Sequence, residues 1–147
     1  MHGFRLYLEA DEEAMSDLKK TLSKLPKSHR DLVKDFDWAF EPGDTLKDFP
    51  GHIGRMDPEK KRITVAAPWN YGREYAILHE IGHLVWAAYV DDSRKQEWER
   101  IVRATGRKQR QNPEELFAMA YATTYAKNKV LIHAHKTWDQ FVRQIPQ

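Results

Sequence analysis

The chain has 147 residues, 41% hydrophobic and 31% charged, with a formal net charge of +2 and no cysteine. This length suits one domain with one core over residues 1–147; the composition is too apolar for a disordered chain, and no apolar run is long enough to span a bilayer. The missing cysteine excludes disulfides, thiolate metal sites and cysteine nucleophiles.

The first residues, Met1-His2-Gly3-Phe4-Arg5, lack the basic-then-apolar pattern of a signal peptide, so a cytoplasmic location, or delivery as an effector, is expected. Charge is uneven, with a net of −3 over residues 1–50 and +5 over 51–147. Arg100, Arg103, Arg107, Lys108 and Arg110 supply much of the excess and read as a solvated helix face running into a loop. There is no zinc finger and no aromatic RNA-binding signature, so nucleic acid is not an expected partner.

Phe4-Arg5-Leu6-Tyr7-Leu8 alternates as a first strand would. Residues 11–25 read as a helix, with Met15, Leu18, Leu22 and Leu25 at helical spacing and acidic residues in its first turn. Pro26 ends it, and a short helix follows over 28–34. Phe36, Trp38 and Phe40 mark a strand closed by Pro42-Gly43. His52–Met56 and Arg62–Ala66 flank Asp57-Pro58-Glu59-Lys60-Lys61, two strands around a turn, hence a β-hairpin. After Pro68 the period changes from two to 3.6. Helices are expected over 73–89, 94–104, 113–127 and 135–145, the last with Trp138, Phe141, Val142 and Ile145 on one face. A small mixed sheet with an edge hairpin, followed by a helical half, is an α+β arrangement.

The chemistry concentrates in Ala76-Ile77-Leu78-His79-Glu80-Ile81-Gly82-His83-Leu84-Val85-Trp86. Two histidines four apart on a helix share a face, one turn apart, so both imidazoles can reach one zinc ion. Glu80 then lies beside the metal, where a carboxylate can take a proton from water. With 7 His in 147 residues, chance alone would place the pattern in about 2% of shuffled chains, and the helical context lowers that further. Ile77, Ile81, Leu84, Val85 and Ala88 form an apolar stripe, which predicts a core-facing side with His79 and His83 turned toward a cleft.

A catalytic zinc site takes three protein ligands and leaves one position open. The place six residues after His83 holds Tyr89, so the third ligand must come from elsewhere. His133 and His135 sit beside an expected loop, and Glu97 and Glu99 belong to a charged helix. Glu115 opens Glu115-Leu116-Phe117-Ala118-Met119-Ala120-Tyr121-Ala122, an apolar, alanine-rich helix able to approach the first closely. A carboxylate there needs a partner, and zinc is one. Asn112-Pro113-Glu114-Glu115 is also a helix start, in which Glu115 could complete a capping box instead. Ligation is favoured, since a cap does not account for the buried helix behind it.

His79-Glu80-Ile81-Gly82-His83 followed by Glu115-Leu116-Phe117-Ala118 resembles the compact gluzincins typified by the anthrax lethal factor catalytic domain and the secreted Pro-Pro endopeptidases. Residues 50–127 carry the resemblance, including the hairpin strand Arg62-Ile63-Thr64-Val65-Ala66, similar to the strand lining the family's substrate cleft. Where the family has a second Glu, four residues after the ligand, this chain has Met119; where it has an oxyanion-steadying Tyr, this chain has Lys108. Tyr121, Tyr125 or a neighbouring histidine could substitute. The ImmA/IrrE-like metalloproteases share the two-motif plan with a poorer match in the ligand segment.

The resemblance implies a zincin-like domain and a zinc-dependent endopeptidase. His79, His83 and Glu115 would hold Zn2+, Glu80 would be the catalytic base, and the partner would be a peptide or protein substrate. The alternatives are a regulatory protease of the ImmA/IrrE kind and a non-catalytic, zinc-holding interaction module.

Overall fold

A computed structural model describes residues 11–69, 71–104, 112–126 and 136–145. It has the expected α+β arrangement. Two helices, α1 (Asp11–Ser23) and α2 (Lys27–Val33), precede the strands β1 (Asp37–Phe40), β2 (Gly54–Asp57) and β3 (Arg62–Val65). Four more helices follow: α3 (Gly72–Tyr89), α4 (Asp92–Ala104), α5 (Pro113–Tyr125) and α6 (Lys136–Gln144). The strand expected at Phe4–Leu8 lies outside the described residues. Among those residues, no helix is long and apolar enough to cross a membrane.

The sheet has the order β1-β3-β2, with β1 parallel and β2 antiparallel to β3. The hairpin turn is held by Asp57, whose Oδ1 accepts from Glu59 N (3.1 Å) and Lys60 N (3.2 Å), and Lys61 takes a left-handed φ of 52°. The side-chain oxygen of Asp thus supplies the turn that the sequence suggests. Ile63 and Val65 point into the core from β3, and Trp38 and Phe40 from β1. The hairpin pairing continues past the strand ends through Ala66 N to Ile53 O, which carries β2 toward the helices.

Helix limits follow local chemistry. α1 stops at Ser23, two residues early, because Lys24 N and Leu25 N turn back to Thr21 O and Leu22 O ahead of Pro26. α4 starts at Asp92, two residues before the expectation, because the Asp91 carboxylate caps Arg94 N at 2.9 Å. α6 buries Trp138, Phe141 and Val142, and Trp138 and Phe141 meet Trp98 of α4 at ring distances of 5.3 and 5.1 Å.

α3 departs from the one-sided helix that its apolar stripe suggests. Every residue from Tyr75 to Gly82 is buried, while Ala88, assigned to the stripe, is exposed. The reason is position: α3 is packed on by α5, α1, α2 and the sheet together. A helix enclosed on most sides carries apolar residues all round, and periodicity then loses its power to pick a face.

α3 and α5 approach closely at Gly82. A Cβ built on Gly82 would lie 3.0 Å from Ala118 Cα and 3.1 Å from Tyr121 Cβ. Gly82 and Ala118 therefore set the spacing of the two helices that carry His79, His83 and Glu115.

Candidate metal centre

α5 begins with Asn112, whose Oδ1 accepts from Glu115 N at 2.7 Å, followed by Pro113 in the first turn. The cap anticipated from sequence is present, yet only half of the box is closed. Both Glu115 carboxylate oxygens go to α3 instead: Oε2 lies 2.8 Å from His79 Nε2 and Oε1 lies 3.3 Å from His83 Nε2. Capping and site-building fall to different atoms of Glu115, its backbone N–H and its carboxylate.

The ligand atoms of His79, His83 and Glu115 all lie within 4.8 Å of one another, and the trio could hold a metal ion. Two imidazoles with one carboxylate is the donor set of a catalytic zinc site with an open fourth position. Bonds of 2.0–2.1 Å in a tetrahedron put neighbouring ligand atoms about 3.3 Å apart. The observed 2.8 and 3.3 Å separations need only small adjustments to meet that spacing.

Charge in the centre is held by mutual contact. Hydrogen bonds from His79 and His83 pull the Glu115 carboxyl well below the usual carboxylate range. Burial works to lower His83, but Glu115 and Glu114 outweigh it and push His83 up to about 9. In the metal-free protein a proton thus occupies part of the role of a cation. Glu80 is buried on the inner side of α3, and burial raises its pKa above the ordinary value, with His79 and His83 opposing. A carboxylate so placed is more basic than one in water, as a proton acceptor requires.

The trio and Glu80 face one cleft of about 390 Å³ lined by Gly51, His52, Ile53, Gly54, Tyr71, Tyr75 and Met119. One wall is residues 51–54, which lead into β2 and supply its first residue, and the contact there is close. A Cβ on Gly54 would lie 2.6 Å from Glu80 Oε2 and 2.7 Å from its Cγ, so only glycine leaves room for the Glu80 carboxylate. Opposite, Tyr71 stacks on Tyr75 at 4.9 Å, and the Tyr75 ring lies 5.9 Å from that of His79.

His79, Glu80, His83 and Glu115 therefore come together as expected from sequence. His79 is more deeply set than anticipated, with its side chain only 9% exposed. Glu97 pairs with Arg94 on α4 and Glu99 is exposed; neither lines the cleft. His133, His135 and Lys108 lie outside the described residues. Tyr121 does not serve the cleft: its hydroxyl is 2.8 Å from His29 Nδ1 in a buried pair, and Tyr125 packs on the Tyr121 ring. The aromatic and imidazole groups that do line it are Tyr71, Tyr75 and His52. Tyr75 was legible, standing one turn before His79 on the same face; His52 and Gly54 were not, since strand-to-helix proximity has no local signal.

No family model matches this chain, and searches of curated proteins and of solved structures find no match either.

Proposed function

We propose that the protein is a zinc-dependent endopeptidase of the gluzincin kind. The observation that carries this is the convergence of one ligand atom each from His79, His83 and Glu115 within 4.8 Å, in a cleft that also holds the buried Glu80. When bound, zinc would polarise the scissile carbonyl and acidify water at the open position. Glu80 accepts the proton of the attacking water on its carboxylate and delivers it to the leaving amine. His79, His83 and Glu115 fix the metal's place, and Asn112 fixes the turn of α5 that aims Glu115.

The strand β2 offers a docking edge. In the order β1-β3-β2 its outer side has no strand partner among the described residues. An extended peptide can add to such an edge through main-chain hydrogen bonds. At Gly54 the peptide would run past Glu80, where the carbonyl to be attacked must sit. Tyr71, Tyr75 and His52 stand as donors for the developing oxyanion.

Metal analysis paired with cleavage of a peptide library tests the reading. Wild-type protein should hold about one zinc and cut peptides. Glu80→Gln should keep the zinc and lose about 10²–10⁴-fold in rate, the contribution of a general base. Folded protein that takes up no zinc overturns the proposal; zinc binding with no cleavage, or equal cleavage by Glu80→Gln, rejects the enzyme while leaving the metal site.

A further inference from the structure

We propose that Glu114 is a positioning residue of the metal centre: its carboxylate accepts the Nδ1–H of His83 and thereby turns the Nε2 lone pair toward the metal. The inference rests on the zinc reading above. Glu114 Oε2 lies 2.8 Å from His83 Nδ1, while the other nitrogen of the same ring faces Glu115 Oε1 at 3.3 Å. Neighbouring residues of a helix point about 100° apart. Glu114 and Glu115 therefore grip opposite nitrogens of one imidazole, one as orienting acceptor and one as fellow ligand.

An imidazole binds a metal through the nitrogen that carries no proton, and the hydrogen bond at the other nitrogen decides which that is. The two histidines differ here. Among the described residues His79 Nδ1, which is buried, has no hydrogen-bond partner, and Met119, one turn after Glu115, lines the cleft with a thioether in place of a carboxylate. Among the described residues, orientation by a carboxylate is built at His83 and not at His79.

Zinc itself is the probe, with affinity read by competition against a chromophoric chelator. Loss of an orienting acceptor costs about 10–100-fold in metal affinity. Glu114→Ala should fall near tenfold, the low end, because the Glu114 side chain is 45% exposed and water can replace part of its role. Glu114→Gln should stay within about threefold of wild type, since its amide oxygen still accepts the Nδ1–H. A purely electrostatic role at the helix start predicts instead that Gln and Ala weaken zinc equally, because both remove the charge. That outcome overturns the proposal, as does unchanged affinity in Glu114→Ala. Should the Ala variant not fold, the nitrogen resonances of zinc-loaded wild type decide: His83 coordinated through Nε2, with a proton on Nδ1, is expected, and coordination through Nδ1 overturns it. Wild-type protein that binds no zinc overturns the zinc reading, and this inference falls with it; tight zinc binding that ignores Glu114 overturns this inference alone.

Discussion

Gly82 on α3 and Gly54 on β2 both stand where a side chain would collide with a neighbour, but they would meet different obstacles. At Gly82 the obstacles are the Ala118 backbone and the base of the Tyr121 side chain, fixed parts of a packed helix pair. At Gly54 the obstacle is the Glu80 side chain. The first glycine sets the helix spacing that brings His79, His83 and Glu115 together. The second sets the place of Glu80, the proposed proton acceptor. The approach of α3 to α5 is thus bounded by packed backbone and core, whereas the approach at Gly54 is bounded by one side chain.

Gly54→Ala tests that division with the largest expected effect. The new methyl must displace Glu80, and a shift of about 1 Å in a catalytic group costs on the order of 10²-fold in rate. Zinc content and melting temperature should stay near wild type. Initial rates beside metal analysis check this, and a comparable loss of zinc would show that the wall also builds the metal site.

Gly82→Ala should act on binding and stability instead. Overpacking of this kind costs about 1–3 kcal/mol, against roughly 1 kcal/mol that Ala gains over Gly inside a helix. A net destabilisation of about 1 kcal/mol in urea unfolding of the zinc-free protein is expected, with weaker zinc affinity as α5 moves away. Stability equal to wild type would show that the helix pair yields more easily than its contacts imply.

The smallest effect is in pH. His83 is raised from 6.5 to about 9 in the folded, metal-free protein, so its stabilisation is complete below pH 6.5 and is lost as pH rises through 9. Glu115 is lowered from 4.5, so its stabilisation is present above that value and is lost as pH falls below it. Metal-free protein should therefore be most stable between about pH 5 and 6.5 as far as this trio is concerned. Zinc reverses the upper limb, because it needs deprotonated imidazole. The increase in melting temperature on adding zinc should grow from pH 6 to 8.5, and an increase independent of pH would place the metal elsewhere.

Much of the architecture is legible because it is locally encoded. The Pro26 stop, the Asx-held turn at Asp57, the Asn112 cap and the periods of α3 through α6 each depend on residues within a few positions. The errors are also instructive. Ile77, Ile81 and Val85 of the stripe are buried as expected while Ala88 is exposed, and the stripe is not the one buried face because α1, α2, α5 and the sheet enclose the helix. Tyr121 looked available to the cleft, but a partner 92 positions away, His29, holds its hydroxyl.

The sequence alone determined that His79 and His83 share a face with Glu80 beside them, since four residues make one helical turn whatever surrounds it. It also determined the start of α5, through Asn112 and Pro113. Only the tertiary structure decided which carboxylates meet those imidazoles. Gly82 and Ala118 bring α5 close enough for Glu115 to reach both Nε2 atoms and for Glu114 to take the far side of His83, and the hairpin carries Gly54 against Glu80. Those separations depend on how side chains of distant segments pack, and no local rule in the chain states them.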